Sequence, residues 1–272
     1  MIDLRRYNCM FAFNVWDIVS AKAVIDAAAD LGQNVILQTS TRIFKKMDKE
    51  AFALFSKAYA QVKGIQVLLN LDHCAEENVI YDAIDCGWDI VMIDASAQKI
   101  EENIRITSSI VEYAHRYNVL VEAEIGQIKG TEEDVICEDE EMASVGDIQR
   151  FVERAYPDLL AVAFGNAHGM YQGEANLRYE VIEQVKSICD LPFVVHGGSG
   201  MTSEQIRRLV AYDNVKKINI STEMKEAYCE GFMEVEREQY AKRYETLAAS
   251  QAIEEKLYNK AREKMQLLEV EG

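Results

Sequence analysis

The sequence predicts an α/β chain folded as a (β/α)8 barrel, and three observations carry that prediction. Eight strand-sized apolar runs alternate with longer amphipathic stretches, no Gly/Ser/Pro-rich linker interrupts the alternation, and chemically capable residues recur where apolar runs end. With 272 residues, 49% of them hydrophobic, and two prolines, the chain is long enough for one substantial core, which excludes a disordered or collagenous chain. A doubly wound open sheet is the alternative. No repeat beyond the β/α unit is visible, so residues 1–272 read as one domain.

The elements follow in order. Met10–Val15 is the first apolar run, and the amphipathic Ala21–Leu31 follows as its helix. Asn34–Thr39 pairs with Glu50–Val62, Gln66–Leu71 with Glu76–Cys86, and Asp89–Asp94 with Ile100–Tyr117. The fifth run, Val119–Glu124, leads into a long acidic loop, Ile125–Gly146, before the helix Asp147–Ala155. Leu159–Phe164 is followed by a second long loop, Gly165–Asn176, and then Leu177–Cys189. Phe193–His196 with Ser203–Ala211, and finally Val215–Ile220, complete the eight units. After Thr222 a charged helical stretch runs to about Val270, read as the last barrel helix with an added arm (about 223–272) that is either solvated or a subunit contact. Loops as long as those two often bind or cover a ligand.

Composition narrows the partners. The 46 acids against 29 bases give a net charge of −17, which argues against nucleic acid or an anionic membrane and requires any anionic substrate to be held by a local site. No apolar run is long enough to span a membrane and no basic-then-apolar signal opens the chain, so the expectation is a soluble, cytoplasmic protein. The six cysteines form no C-x-x-C pair and read as reduced thiols.

Three of the four histidines sit where an apolar run meets a polar or glycine loop: Asp72-His73, Gly165-Asn166-Ala167-His168-Gly169 and His196-Gly197-Gly198. Three neutral imidazoles on one rim with a fourth position open suit a catalytic zinc. Asp72, expected to point opposite to His73, is a proton-exchanging group or a loop cap. Glycines beside His168 allow close backbone approach, and the amides of Gly197-Gly198-Ser199-Gly200 suit an anion nest. The polar end of the last run, Asn219-Ile220-Ser221-Thr222, falls where barrels place phosphate sites. Asp94, Glu122 and Glu124 end apolar runs and would bind a second cation or orient the histidines, and a glutamate of Glu132-Glu133-Asp134 in the long loop could serve as a base. His115, inside a helical stretch, reads as a surface histidine.

These residues resemble the zinc-dependent class II ketose-bisphosphate aldolases, which include fructose- and tagatose-bisphosphate aldolases. The resemblance runs from Phe11 to Thr222 through Ala12-Phe13-Asn14, Leu71-Asp72-His73-Cys74, Ile93-Asp94-Ala95-Ser96, Val121-Glu122-Ala123-Glu124, Gly165-Asn166-Ala167-His168-Gly169, His196-Gly197-Gly198-Ser199-Gly200 and Lys217-Ile218-Asn219. It implies a Zn2+ held by His73, His168 and His196, with Asp94 and Glu124 near an alternate metal position. Asp72 would be the proton donor to the aldehyde oxygen, and Glu132 the group that moves the proton at the nucleophilic carbon. Gly169, Gly197, Gly198, Ser199, Asn219, Ser221 and Thr222 would hold dihydroxyacetone phosphate, with Asn14 and Ser40 reaching the substrate, and Gly169 and Gly197 match a site for a monovalent cation, Na+ or K+. A homo-oligomer, dimer or tetramer, is also implied.

Three features depart from the family pattern. Lys129-Gly130 replaces Gly-Gly in the catalytic loop, Met1–Cys9 is short where the family usually has a helix, and Glu254-Glu255 falls where many members carry the Pro-Arg that binds a distal phosphate. The function expected is cleavage of a ketose 1-phosphate or 1,6-bisphosphate to dihydroxyacetone phosphate and an aldehyde. The rivals are a zinc-dependent barrel hydrolase and a non-catalytic sugar-phosphate-binding homologue.

Overall fold

The computed structural model describes residues 2–132, 135–137, 142–171, 173–234 and 246–268, with the side chains of residues 131, 132, 135–137 and 246 excepted. Its strands in chain order are β1 (Met10–Asn14), β2 (Val35–Ser40), β3 (Val67–Cys74), β4 (Ile90–Ile93), β5 (Leu120–Ile125), β6 (Lys129–Glu132), β7 (Val135–Cys137), β8 (Leu159–Val162), β9 (Ala167–His168), β10 (Phe193–Val195) and β11 (Val215–Ile220). The helices are α1 (Ile18–Asp30), α2 (Thr41–Phe44), α3 (Lys49–Lys63), α4 (Glu77–Asp85), α5 (Ile100–His115), α6 (Val145–Ala155), α7 (Tyr179–Ile188), α8 (Ser203–Val210), α9 (Thr222–Glu234) and α10 (Thr246–Met265).

The eight predicted runs form one closed parallel barrel in the order β1-β11-β10-β8-β5-β4-β3-β2, which excludes the open sheet. Strand alternation sorts their side chains into two sets. Outward residues such as Phe13, Leu37, Leu69, Val91, Val121, Phe193 and Ile218 pack beneath the helices. Inward residues Met10, Ala12, Ile36, Leu68, Ile90, Leu120, Leu159, Ala161 and Val194 form an apolar floor closed by Leu4, which sits in a single 3-10 turn, Leu4–Arg6. The described N-terminal segment therefore closes the barrel with a single 3-10 turn in place of an α-helix.

Two residues further along six of the eight strands the inward positions become polar, β4 and β8 continuing with Met92 and Ala163. Asn14 follows Ala12, Gln38 and Ser40 follow Ile36, Asn70 and Asp72 follow Leu68, and Glu122 and Glu124 follow Leu120. His196 follows Val194, and Asn219 and Ser221 follow Lys217, all of them buried. The strands thus carry an apolar base and a polar mouth on one face.

Several boundaries differ from the sequence reading. The third strand continues past Leu71 through Cys74, and the Ile125–Gly146 segment is not wholly loop: β6 and β7 form an antiparallel hairpin there. Its β6 pairs in parallel with β9, Gly130 opposite His168, inside the other long loop. At Gly130 φ is +118°, and a Cβ would lie 2.2 Å from the His168 carbonyl oxygen, so glycine is required at this crossing. The described part of the C-terminal stretch includes the helices α9 and α10, and α10 packs on α1 and α9. Its buried residues Ile253, Leu257, Ala261 and Met265 recur every fourth position, so one face belongs to this chain's own core. Among the described residues no helix is long and apolar enough to cross a membrane.

Candidate active site

The site lies at the C-terminal mouth of the barrel, where the polar inward positions converge. Regular alternation would turn Asp72 inward and His73 outward. Instead His73 adopts a left-handed backbone, φ 44°, and the register with β4 shifts between Leu71 and Cys74. Both side chains therefore reach the mouth, which corrects the expectation that they point opposite ways. A non-glycine residue in that region costs about 1 kcal/mol or more, and its neighbours must hold it there. Thr41 Oγ1 donates to the His73 carbonyl at 3.1 Å, and His73 Nδ1 stands 2.8 Å from Asp94 Oδ2.

His196 is fixed from the opposite side. Its Nε2 is 2.9 Å from Glu122 Oε1, and Lys217 Nζ donates to Glu122 Oε2 at 2.6 Å, with all three side chains fully buried. Burial works to raise the Glu122 carboxyl, but the Lys217 charge and the His196 hydrogen bond bring it down to about 2. Burial raises Asp94 as well, and the His73 hydrogen bond outweighs it, so this carboxyl lies well below the usual range. Ionised carboxylates only accept, so the ring protons sit on His73 Nδ1 and His196 Nε2.

The remaining nitrogens, His73 Nε2 and His196 Nδ1, then face each other as lone pairs at 2.9 Å. A proton shared between them or a metal ion satisfies both, and two nitrogens on one tetrahedral zinc stand roughly 3.3 Å apart; Asn219 Nδ2 also lies 3.4 Å from His196 Nδ1. His168 completes the group: one ring nitrogen from each of the three histidines lies within 4.8 Å of the others. Burial lowers the His196 imidazole to about 4 and His168 well below its ordinary value, so both rings are neutral at neutral pH. The donor set fits a metal. His73, Asp94 and Glu124 make a second such group, in which burial, then the Asp94 charge, raises Glu124 to about 8.

Asp72 accepts from Gln38 Nε2 at 3.1 Å and Asn219 Nδ2 at 3.3 Å, and Gln38 also donates to Asn14 Oδ1 at 2.7 Å. Ser40 Oγ, Ser221 Oγ and Asn219 Oδ1 are buried and have no hydrogen-bond partner among the described residues, as expected of groups that face a ligand. Thr222 opens α9 beside them. The glycine loop is only partly the open nest the sequence suggested. Gly198 N–H donates to the Asn219 carbonyl at 3.0 Å and Gly200 N–H to Glu223 Oε1 at 2.6 Å. Ser199 Oγ accepts from the amides of Ser221 and Glu223, which leaves its proton for an outside acceptor. Gly197 is where two loops touch: φ is +67°, and a Cβ would lie 2.0 Å from the Ala167 carbonyl. Tyr171 spans the same junction, accepting from Ala167 N–H and donating to the Gly197 carbonyl, both at 2.9 Å. Gly169, φ +94°, has open space above it.

Glu132 ends β6, next to β9, and its side chain lies outside the described residues, as do Glu133 and Asp134. His115 is remote, paired with Asp158 at 2.9 Å. The sequence reading passed over Gln38 as a site residue. Its signal was a long polar side chain inside an apolar run, two residues before Ser40 and therefore on the same face. Lys217 carried the same signal, whereas Glu122 is one of the carboxylates the sequence already offers to orient the histidines. Of the Glu254-Glu255 pair expected in place of Pro-Arg, Glu254 forms an ion pair with Lys22 of α1 and Glu255 is exposed.

Comparison with known proteins places this geometry. Residues 5–272 match the family model described as fructose-bisphosphate aldolase class-II. The chain is 35% identical to a fructose-bisphosphate aldolase of Geobacillus stearothermophilus, over 85% of this chain and 82% of the relative. It is 37% identical to a 6-phospho-5-dehydro-2-deoxy-D-gluconate aldolase of Bacillus licheniformis, over 80% of this chain and 75% of the relative. The crystal structure of the YdjI aldolase from Escherichia coli K12 superposes with a TM-score of 0.82 at 30% identity, covering 97% of this chain and 93% of that one.

Proposed function

This chain belongs to the class-II fructose-bisphosphate aldolase family and is a carbon–carbon lyase; from that premise we propose that it reversibly cleaves a ketose phosphate to dihydroxyacetone phosphate and an aldehyde, with zinc. The observation that carries this reading is the convergence of His73, His168 and His196 beside the buried Asp72. These three histidines would hold the zinc, which when bound supplies a Lewis acid for the ketose carbonyl and for the charge developing on its oxygen.

The chain's own residues do the rest. In cleavage Asp72 takes the proton from the hydroxyl that becomes the aldehyde oxygen, and in condensation it returns that proton. Gln38 and Asn219 hold its two oxygens for this exchange. Glu132, on the hairpin beside His168, moves the proton at the nucleophilic carbon. Gly169, Gly197, Ser199, Ser221 and Thr222 bind the phosphate, with the Gly198 N–H committed to the Asn219 carbonyl, and the Ser199 hydroxyl, oriented by two backbone donors, gives it a proton to accept. Asn14 and Ser40 contact the sugar. Lys217, buried and bonded to Glu122, serves as a counter-charge and not as a Schiff-base nucleophile.

The far end of the substrate is proposed to lack a phosphate requirement. Glu255 stands at the position of the expected arginine and its neighbour Glu254 is engaged with Lys22, so this stretch of α10 offers no guanidinium for a second phosphate. A ketose bearing one phosphate suits this arrangement, and the Bacillus licheniformis relative is named for such a compound, a sugar acid with one phosphate. The test is a coupled assay of dihydroxyacetone phosphate release over a panel of ketose mono- and bisphosphates. A monophosphate substrate is expected to give a kcat/KM at least equal to that of any bisphosphate, and a strong preference for a bisphosphate contradicts the assignment.

A further inference from the structure

We propose that Lys264 and Glu223 form a buried latch by which α10 sets the pose of the phosphate loop, making both positioning residues for the substrate phosphate; this rests on the phosphate site proposed above. Lys264 lies in the last turn of α10, where a lysine is normally solvated, yet it is 5% exposed. Its Nζ donates to Glu223 Oε1 at 2.7 Å. The same oxygen accepts the Gly200 N–H at 2.6 Å, so one atom joins the loop after β10, the start of α9 and the end of α10.

The charge of that atom explains why the lysine is there. A buried ion pair is a poor route to stability, because desolvation offsets most of the attraction, and an apolar pair would serve as well. A carboxylate is nevertheless a strong acceptor for a loop amide. Standing alone beside a phosphate site it would repel the arriving dianion, and Lys264 cancels that charge while leaving the acceptor in place. Glu223 Oε2 is buried without a hydrogen-bond partner among the described residues, so the charge is not spread over further donors there. Lys260, one turn earlier on α10, acts on Glu223 only through space, its own ammonium being 2.8 Å from Glu263. Ser199 Oγ, bonded to the amides of Ser221 and Glu223, passes the constraint to the residue that meets the phosphate.

The experiment measures, on the zinc-loaded full chain in the condensation direction, KM for dihydroxyacetone phosphate and Ki for inorganic phosphate as competitor. Lys264→Met is expected to raise both about tenfold, the scale of one charge-assisted hydrogen bond, with kcat within about twofold. Lys264→Arg should restore both. Glu223→Gln with Lys264→Met keeps an oxygen for Gly200 and removes both charges, and should return Ki to within about threefold of the parent. Glu223→Ala with Lys264→Met removes the acceptor without leaving a buried charge, and should again weaken phosphate about tenfold, which keeps the test open if Lys264→Met does not fold. Unchanged KM and Ki in the folded variants, or a fall in kcat alone, overturns the latch. Ser199→Ala separates the two readings: if it leaves Ki unchanged the phosphate site itself is misplaced, whereas if it weakens phosphate and the Lys264 variants do not, only the latch fails.

Discussion

Asp72 receives a hydrogen bond on each carboxylate oxygen from neutral amides, Gln38 and Asn219, neither of which can take its proton away. That setting suits a group that gives and regains a proton at a fixed position. Asp72→Ala should therefore keep its zinc, measured by metal analysis, while kcat falls by about a hundredfold or more. Full retained turnover would remove Asp72 from the proposed mechanism. Glu122 acts one step further back. With Lys217 on one oxygen and the His196 ring on the other, it keeps His196 Nδ1 turned toward His73. Glu122→Gln leaves the shape but lets the amide present either a donor or an acceptor, so zinc affinity in a chelator competition should drop about tenfold to a hundredfold. An unchanged affinity would show that packing alone orients the ring.

At the scale of the elements, the mouth depends on loops touching where only glycine fits. Gly130 of β6 crosses His168 of β9 so closely that any side chain collides with backbone. Gly130→Ala should separate the hairpin from β9 and lower kcat at least tenfold, while thermal unfolding of the barrel shifts little because the hairpin lies outside the closed sheet. A variant with normal turnover would show that β6 does not carry a catalytic group. This hairpin also marks where sequence reasoning stopped. The barrel strands were legible because both faces are buried, so Val35–Leu37 or Val67–Leu69 read as apolar runs. Lys129-Gly130-Thr131-Glu132 has no such pattern, since its pairing depends on the backbone of a segment nearly forty residues later. The turn at His73 was hidden for a related reason: left-handed backbone is expected of glycine, and here Asp94 and Thr41 impose it from other elements. The three histidines and Asp72 could be found because each stands at the end of an apolar run. Gln38 and Lys217 were overlooked because each sits within one.

Across the whole molecule, a barrel with an apolar floor and a polar mouth concentrates its buried charges in one place. The chain carries a net charge of −17, which works against an anionic substrate, so binding must come from short-range donors at the mouth and, on the proposed reading, from the zinc. Lys217 and Asp94 with Glu122 hold His196 and His73 so that ring nitrogens of the two face each other, the place where the proposed zinc would complete the site. Lyase activity should follow the metal in proportion. The most direct measurement is dihydroxyacetone phosphate release by chelated protein titrated with zinc, scored against metal bound per chain. Activity that rises linearly to a plateau at one zinc per chain, and is abolished by prior chelation, is the expected result. Full turnover by protein shown by metal analysis to be zinc-free would contradict the account.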